Sequence, residues 1–185
     1  MKIYTRKGDD GTTGLLYGGR VRKDSAAPVA YGDVDEAQAA LGLARALAAA
    51  SSDGRGGELD SLLVRLERDL WVLMAELATD PANRAKLQAG TSLVTAEMVE
   101  ALEPIIDDLT SRFEQPTEFV VPGQNAVSAQ LDVARTVVRR AERRALVAAA
   151  DGSHVVPYLN RLSDLLWTMA RWQEDAYLPA RERNA

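Results

Sequence analysis

Cysteine is absent from this 185-residue chain, and histidine occurs once, at His154. Without thiols there is no disulfide, no zinc–thiolate centre and no cysteine nucleophile. A single imidazole cannot build the multi-histidine cage that transition metals favour, so hard cations held by oxygen are the metal chemistry left open. An excess of basic residues is also missing: 22 Lys and Arg against 27 Asp and Glu give a net charge of -5. That balance opposes a general attraction to nucleic acid or to an anionic membrane, and any anion site must be local. No stretch approaches the ~20 apolar residues of a membrane span, and Met1 to Gly8 is polar where a signal peptide would be apolar. A cytoplasmic protein is expected, with no membrane and no nucleic-acid partner. The tryptophans Trp71, Trp167 and Trp172 fall at helical spacings that suit a core or an interface better than base stacking.

With 46% hydrophobic and 26% charged residues, the chain has the composition of one globular domain with its own core. Ala30, Val34, Ala37, Leu41, Ala44 and Ala48 recur every three or four residues, which predicts a first helix over Ala26 to Ala50. The run Ser51 to Gly57 reads as a mobile connection. Leu59, Leu62, Leu66, Leu70, Leu73 and Leu77 predict a second helix that ends near Asp80 and Pro81. A third starts from the N-cap Thr95 and carries Met98, Leu102, Ile105, Leu109 and Phe113, with Pro104 expected to kink or restart it. Phe119-Val120-Val121 is too short for a helix and reads as extended. Leu131, Ala134, Val138, Ala141 and Ala145 mark a fourth helix over Val127 to Ala150, stopped by Asp151-Gly152. Pro157 opens a fifth with Leu159, Leu162, Leu166, Met169 and Trp172 on its core face. The fold class expected is all-α, a five-helix bundle. Residues 1–25 form a glycine-rich loop, 26–176 the bundle, and 177–185 a tail that frays after Tyr177.

Two segments carry candidate chemistry. Thr5-Arg6-Lys7-Gly8-Asp9-Asp10-Gly11-Thr12-Thr13-Gly14 gathers backbone donors, hydroxyls, cations and carboxylates, and its glycines let N–H groups turn toward phosphate oxygens. It is neither a P-loop nor an EF-hand, since the lysine of the one and the spaced ligands of the other are missing. Taken alone it reads more readily as a flexible polar arm. Arg20 and Lys23 follow closely and are available as further cations. On the fourth helix Arg135, Arg139 and Arg143 stack at i, i+4 spacing, an arrangement that repels itself unless anions intervene. A salt-bridged outer face using Asp132 and Glu142 is the plain alternative. The stripe borders the apolar face, and arginine is suited to bidentate capture of phosphate or carboxylate there. Asp35 lies beside the core position Val34, where a partner arginine would relieve its burial, and Asn160 and Asp164 share a face of the fifth helix.

Six blocks in order carry a resemblance: Thr5-Arg6-x-Gly8-Asp9-x-Gly11-x-Thr13; Arg20-Val21-x-Lys23; Tyr31-x-x-x-Asp35-Glu36; Phe119-Val120-Val121-Pro122-Gly123; Ala134-Arg135-x-x-x-Arg139-Arg140-Ala141-Glu142-Arg143; and Tyr158 through Leu166. Together, from Ile3 to Arg171, the chain resembles the PduO-type ATP:cob(I)alamin adenosyltransferases. The resemblance implies a ferritin-like bundle that forms a homotrimer, with ATP and Mg²⁺ between adjacent subunits and cobalamin close by. It implies transfer of the 5′-deoxyadenosyl group of ATP to cob(I)alamin, with triphosphate leaving. The cobalt is itself the nucleophile, so no side chain need abstract a proton, and a chain without cysteine suits that chemistry.

By the same resemblance, Thr5, Arg6, Gly8, Asp9, Gly11, Thr13 and Lys23 would hold the triphosphate. Arg139, Glu142, Arg143 and Asn160 would contact the nucleotide, with Mg²⁺ held mainly by ATP phosphates and Glu142 its candidate side-chain ligand. Asp35 and Arg135 would pair between subunits, and Phe119 would lie beneath the corrin, keeping water and the lower ligand off cobalt. A reductase and an adenosylcobalamin-dependent mutase are implied partners. Three positions depart from the family: Asp132 stands at a usual histidine, Gln124-Asn125 at a glycine or small polar pair, and Gln38 at an asparagine. Asp132 would either hold Arg135 or weaken anion binding nearby. A helical escort or sensor that binds MgATP or adenosylcobalamin without catalysis fits the phosphate blocks equally well, and a structural oligomer with solvated arginines would bind neither.

Overall fold

The computed structural model describes residues 3–50 and 55–181. Four long antiparallel-bundle helices dominate it: α1 (Ala26–Ala49), α2 (Gly56–Leu77), α5 (Ala126–Ala148) and α6 (Val155–Trp172), with α3 (Ala96–Glu100) and α4 (Glu103–Thr110) between the second and third of these. The all-α bundle expected from the apolar stripes is therefore present. Helix α1 packs on α2 and α5, α5 packs on α6, and α4 lies against α6. The α1–α5 seam is built from small residues, Ala30, Ala37, Ala44 and Ala48 facing Ala134, Ala141 and Ala145, all buried. Side chains this short let two helix backbones approach closely, and larger ones elsewhere fill the wider gaps: Leu63, Leu66, Leu70 and Leu73 on α2, and Leu159, Leu162, Leu166 and Met169 on α6. Leu63 is the buried member on α2 where Leu62 was expected, because Leu62 is only partly covered.

The predicted third helix is two helices. Thr95 caps α3 by accepting from the Met98 amide, and Pro104 falls in the first turn of α4, where its missing N–H costs nothing. The restart at Pro104 is thus the outcome of the two that the sequence left open. Of the Ser51 to Gly57 connection, residues 51–54 lie outside the described residues, while Gly56 and Gly57 already belong to α2. A Cβ on Gly56 would come within 2.9 Å of the Ala48 carbonyl oxygen, so glycine here allows α2 to start against the end of α1.

Two short sheets correct two expectations. Strand β1 (Thr12–Gly14) pairs antiparallel with β2 (Arg20–Arg22), so the opening segment is part of a hairpin and not a free arm. Strand β3 (Val120–Val121) pairs with β4 (Leu178–Pro179), so the chain past Tyr177 folds back instead of fraying, and the Ala180 amide donates to the Phe119 carbonyl at 2.7 Å. Residues 182–185 of that tail lie outside the described residues. The Gln124-Asn125 pair has a local explanation: Asn125 caps α5 in a reciprocal box with Ser128, and its Nδ2 donates to the Gln173 carbonyl at 2.8 Å, tying α5 to the end of α6. Gln38 likewise links α1 to α2 by donating to the Glu67 carbonyl.

Candidate active site

The candidate residues fall into two regions connected along α5. At one end of the bundle, the β1–β2 hairpin docks on the end of α2, with the Leu16 amide donating to Ala78 O at 2.8 Å. Arg20 holds this hairpin closed: its guanidinium donates to Thr12 Oγ1 and to the Lys7 carbonyl, 2.6 Å from each. Nε and Nη2 are thus spent on the loop itself, which leaves Nη1 as the part of Arg20 available to a ligand. Asp10 takes the Thr12 amide and hydroxyl at 2.9 and 2.7 Å, and those hydrogen bonds hold its carboxyl below the ordinary aspartate range.

Around this frame, Gly11 adopts φ 79° and its carbonyl accepts from the Lys23 amide at 2.9 Å. A Cβ on Gly8 would lie 3.1 Å from Lys23 Nζ, so glycine leaves room for the ammonium to fold across the loop. Thr5 Oγ1 accepts weakly from the Lys7 amide at 3.4 Å, and Thr13 pairs with Val21. Arg6 sits at φ 59°, an uncommon conformation for a side-chain-bearing residue, with its guanidinium 5.7 Å from the Tyr4 ring centre. The Asp9 carboxylate and the Lys23 ammonium make no hydrogen bond or ion pair among the described residues.

Near the same end, the basic residues of α5 divide by partner. Arg140 is bound by Glu36 and by Asp33, at 3.4 Å from the latter, and Arg144 reaches Asp33 at 3.9 Å. These two form the salt-bridged face that was the plain reading of the stripe. Arg139 is different: its guanidinium is exposed and unpaired among the described residues. Arg143 donates only to the Arg139 carbonyl, at 2.9 Å. Glu142 and Asn160 are brought together across α5 and α6, Asn160 Nδ2 donating to Glu142 Oε1 at 3.0 Å. Asp35 is exposed and has no partner within the chain.

At the other end, a cavity of about 740 Å³ opens between the β3–β4 sheet, α5 and α6, with Phe119, Asp132, Arg135, Trp167 and Arg171 in its wall. Phe119 is 90% exposed, an apolar ring with nothing from its own chain covering it. Asp132 lies between Arg135, 3.0 Å away, and Arg171, 2.6 Å away. Arg171 and Trp167 were not singled out from the sequence as site residues. The available signal was a charge at Arg171 directly beside the apolar stripe of Met169 and Trp172, where only a buried partner makes it tolerable.

The two regions are close along the helix. Asp132, Arg135, Arg139 and Glu142 share one side of α5, and Arg139 is one turn, ~6 Å of rise, beyond Arg135. Chemically, one end offers unpaired cations for a polyanion, and the other a half-apolar cleft for a large planar guest. Among the described residues no three carboxylate or imidazole groups cluster to hold a metal, and no helix is long and apolar enough to cross a membrane.

A protein-family model described as cobalamin adenosyltransferase matches residues 3–173. A corrinoid adenosyltransferase of Citrobacter freundii is 41% identical over 179 residues, covering 94% of this chain and 95% of that one. A corrinoid adenosyltransferase of Mycobacterium tuberculosis H37Rv is 41% identical over 175 residues, covering 92% and 87%. Among solved structures, a phenylalanine-to-histidine variant of the PduO-type ATP:corrinoid adenosyltransferase from Lactobacillus reuteri, complexed with cobalamin and ATP, superposes with a TM-score of 0.84 at 28% identity, covering 99% of this chain and 97% of that one. An arginine-to-lysine variant of the same enzyme, complexed with ATP, gives 0.83 at 26% identity, covering 97% and 100%.

Proposed function

The chain belongs to the cobalamin adenosyltransferase family, and from that premise we infer that it transfers the 5′-deoxyadenosyl group of ATP to cob(I)alamin, with adenosylcobalamin and triphosphate as products. The observation that carries the reading is the continuity along α5, which joins an unpaired arginine at one end to a half-apolar cleft at the other. Cob(I)alamin supplies the electron pair that forms the cobalt–carbon bond, and the 5′ carbon–oxygen bond breaks with its electrons leaving on triphosphate. The work of the protein is then position and charge.

Arg139, Arg6 and Lys23 stabilise the leaving triphosphate, and Thr5, Gly8, Asp9, Gly11 and Thr13 form the loop that receives it. Glu142 and Asn160 orient the nucleotide as a pair, and Arg143 follows on the outer side. The free terminal nitrogens of Arg135 engage Asp35 of a neighbouring copy. Exposed Leu43, Trp71, Val133, Leu146 and Val147 support such association, and a homotrimer is the assembly that places one copy's loop beside another's cleft. The donor set fits Mg²⁺ held chiefly by phosphate oxygens: Glu142 has Oε2 uncommitted, and Mg²⁺ requires only one or two protein carboxylates. It would supply charge neutralisation there. Phe119, one of only two phenylalanines in the chain, sits at the cleft and excludes water from the cobalt face.

Mixing the protein with ATP, Mg²⁺ and chemically reduced cobalamin and following the cobalt spectrum tests the reading. Formation of adenosylcobalamin is expected, and none at any protein concentration would leave only a binding role. Phe119→Ala should lower transfer far more than ATP affinity; equal losses would remove Phe119 from the corrin side.

A further inference from the structure

Asp132 is a carboxylate with almost no access to water. It is 5% exposed, stands in the wall of the cavity, and gives each oxygen to a different arginine. Oδ1 accepts from Arg135 Nε at 3.0 Å, and Oδ2 accepts from Arg171 Nη2 at 2.6 Å. Arg171, only 3% exposed, comes from α6 and is held on its other side by Glu174, whose Oε1 and Oε2 lie 3.0 and 2.8 Å from Nη2 and Nε. Two arginines and two carboxylates thus form a neutral group that crosses from α6 to α5. Such a group resists rearrangement, because moving any member strands a partner in a medium that solvates charge poorly.

Arg135 commits only its Nε to this group. Its terminal nitrogens make no hydrogen bond or ion pair among the described residues. The guanidinium is planar, so fixing Nε fixes the direction in which the remaining N–H fork points. An unsupported arginine would instead sample many rotamers, and ordering it when the site assembles would cost entropy.

We propose that Asp132 is a positioning residue for adenosyl transfer: anchored by Arg171 and Glu174, it aims the free fork of Arg135 at Asp35 of a neighbouring copy and so sets the wall of the corrinoid cavity. This rests on the intersubunit pairing of Arg135 with Asp35 given above. The relay runs Glu174, Arg171, Asp132, Arg135, then Asp35 of the second copy, with alternating charge throughout. Asp132 does not touch the reacting atoms; it acts through Arg135.

The test uses the full-length protein and Asp132→Asn, with Asp132→Glu as a second variant that keeps the charge and shifts the oxygens by one methylene. Corrinoid affinity is read by quenching of tryptophan fluorescence with hydroxocobalamin, since Trp167 lines the cavity, and ATP affinity is measured separately. Asp132→Asn should raise the corrinoid Kd and the KM for cob(I)alamin roughly ten- to hundredfold, as small misplacements do, and leave ATP affinity within about twofold. Asp132→Glu should fall between the two. A double-mutant cycle with Asp35→Asn should be non-additive, the double variant no worse than the worse single one. Unchanged corrinoid binding in Asp132→Asn overturns the proposal, as do equal losses for ATP and corrinoid in both variants, which is the mark of a merely structural role. A silent Asp35→Asn beside a defective Asp132→Asn removes the intersubunit pairing and with it the last link of the relay. Additive effects of two defective variants leave that pairing standing and sink the positioning role.

Discussion

The two ends of α5 handle charge in opposite ways. At the cavity end, Asp132, Arg135, Arg171 and Glu174 pair their charges with one another inside the chain, mostly out of water. At the phosphate end, Arg139, Lys23 and Asp9 remain exposed and their side chains unpaired among the described residues, while Glu142 and Asn160 have met. A site for a large neutral ring gains from walls that are rigid before the guest arrives. A site for triphosphate needs cations whose charge is not already neutralised. Beside the phosphate end, Arg140 and Arg144 are spent on Asp33 and Glu36, which fastens α5 to α1 and leaves Arg139 as the uncommitted cation there.

On this contrast, breaking the buried group should cost stability, whereas removing the exposed arginine should cost catalysis and leave stability alone. The largest effect is expected from Arg171→Met, which leaves Asp132 with Arg135 alone and Glu174 buried without its arginine. Breaking one partner of a buried group costs about 3–5 kcal/mol, to be read as a lower midpoint in urea unfolding. A loss below about 1 kcal/mol would erase the distinction between the ends. Arg139→Ala is its counterpart: exposed and unpaired, it should leave the unfolding midpoint unchanged while kcat falls roughly 100- to 1,000-fold, the range for losing one donor to developing charge. A stability loss in Arg139→Ala would show that it too is structural. Asn160→Ala sharpens the comparison at smaller scale, removing the hydrogen bond that orients Glu142. Such a bond to a charged group is worth about 1.5–3 kcal/mol at most and less where water reaches it, so ATP affinity should fall roughly tenfold without change in corrinoid binding.

The sequence made the bundle legible because its apolar stripes obey one period. Every α1 position read as core, from Ala30 to Ala48, is buried. Pro104 announced a break but not its form, since kink and restart differ only in how the preceding turn ends. The short sheets were illegible for a different reason: Val120-Val121 and Leu178-Pro179 are each two residues long, too short for periodicity, and pair across almost sixty residues of chain. Of the site, the resemblance assigned Arg139 to the nucleotide and Arg135 to Asp35, but not what holds either arginine within the chain. Spacing alone made Arg135, Arg139 and Arg143 equivalent, and what separates them is Asp132 one turn before Arg135. The question left open by Asp132, support or interference, is answered in the chain by support: it holds Arg135 through Nε and leaves the rest of the guanidinium uncommitted.

The smallest expected effect concerns the hairpin, which is pre-formed at the phosphate end. Its latch depends on Asp10, which accepts from the Thr12 amide and hydroxyl, while Arg20 grips the same hydroxyl and the Lys7 carbonyl. Hydrogen bonding lowers the Asp10 carboxyl from its ordinary value of 3.8, so the ionised form is favoured in the folded hairpin. A depressed acid contributes its stabilisation above the unfolded-state value and loses it as pH falls through the folded-state value. Hydrogen-exchange protection of the Thr12 amide should therefore stay level from neutral pH down to about pH 4 and drop only below it, once exchange rates are corrected for the intrinsic effect of pH. Because the group is exposed, the global unfolding midpoint should not follow that drop beyond what other carboxylates contribute. In Asp10→Asn the amide retains an acceptor but not the charge, and the low-pH step should vanish. Protection that fades well above pH 4 in the unsubstituted protein would mean that the loop is not held by Asp10, and the phosphate end would then lack any ordered part until its ligand binds.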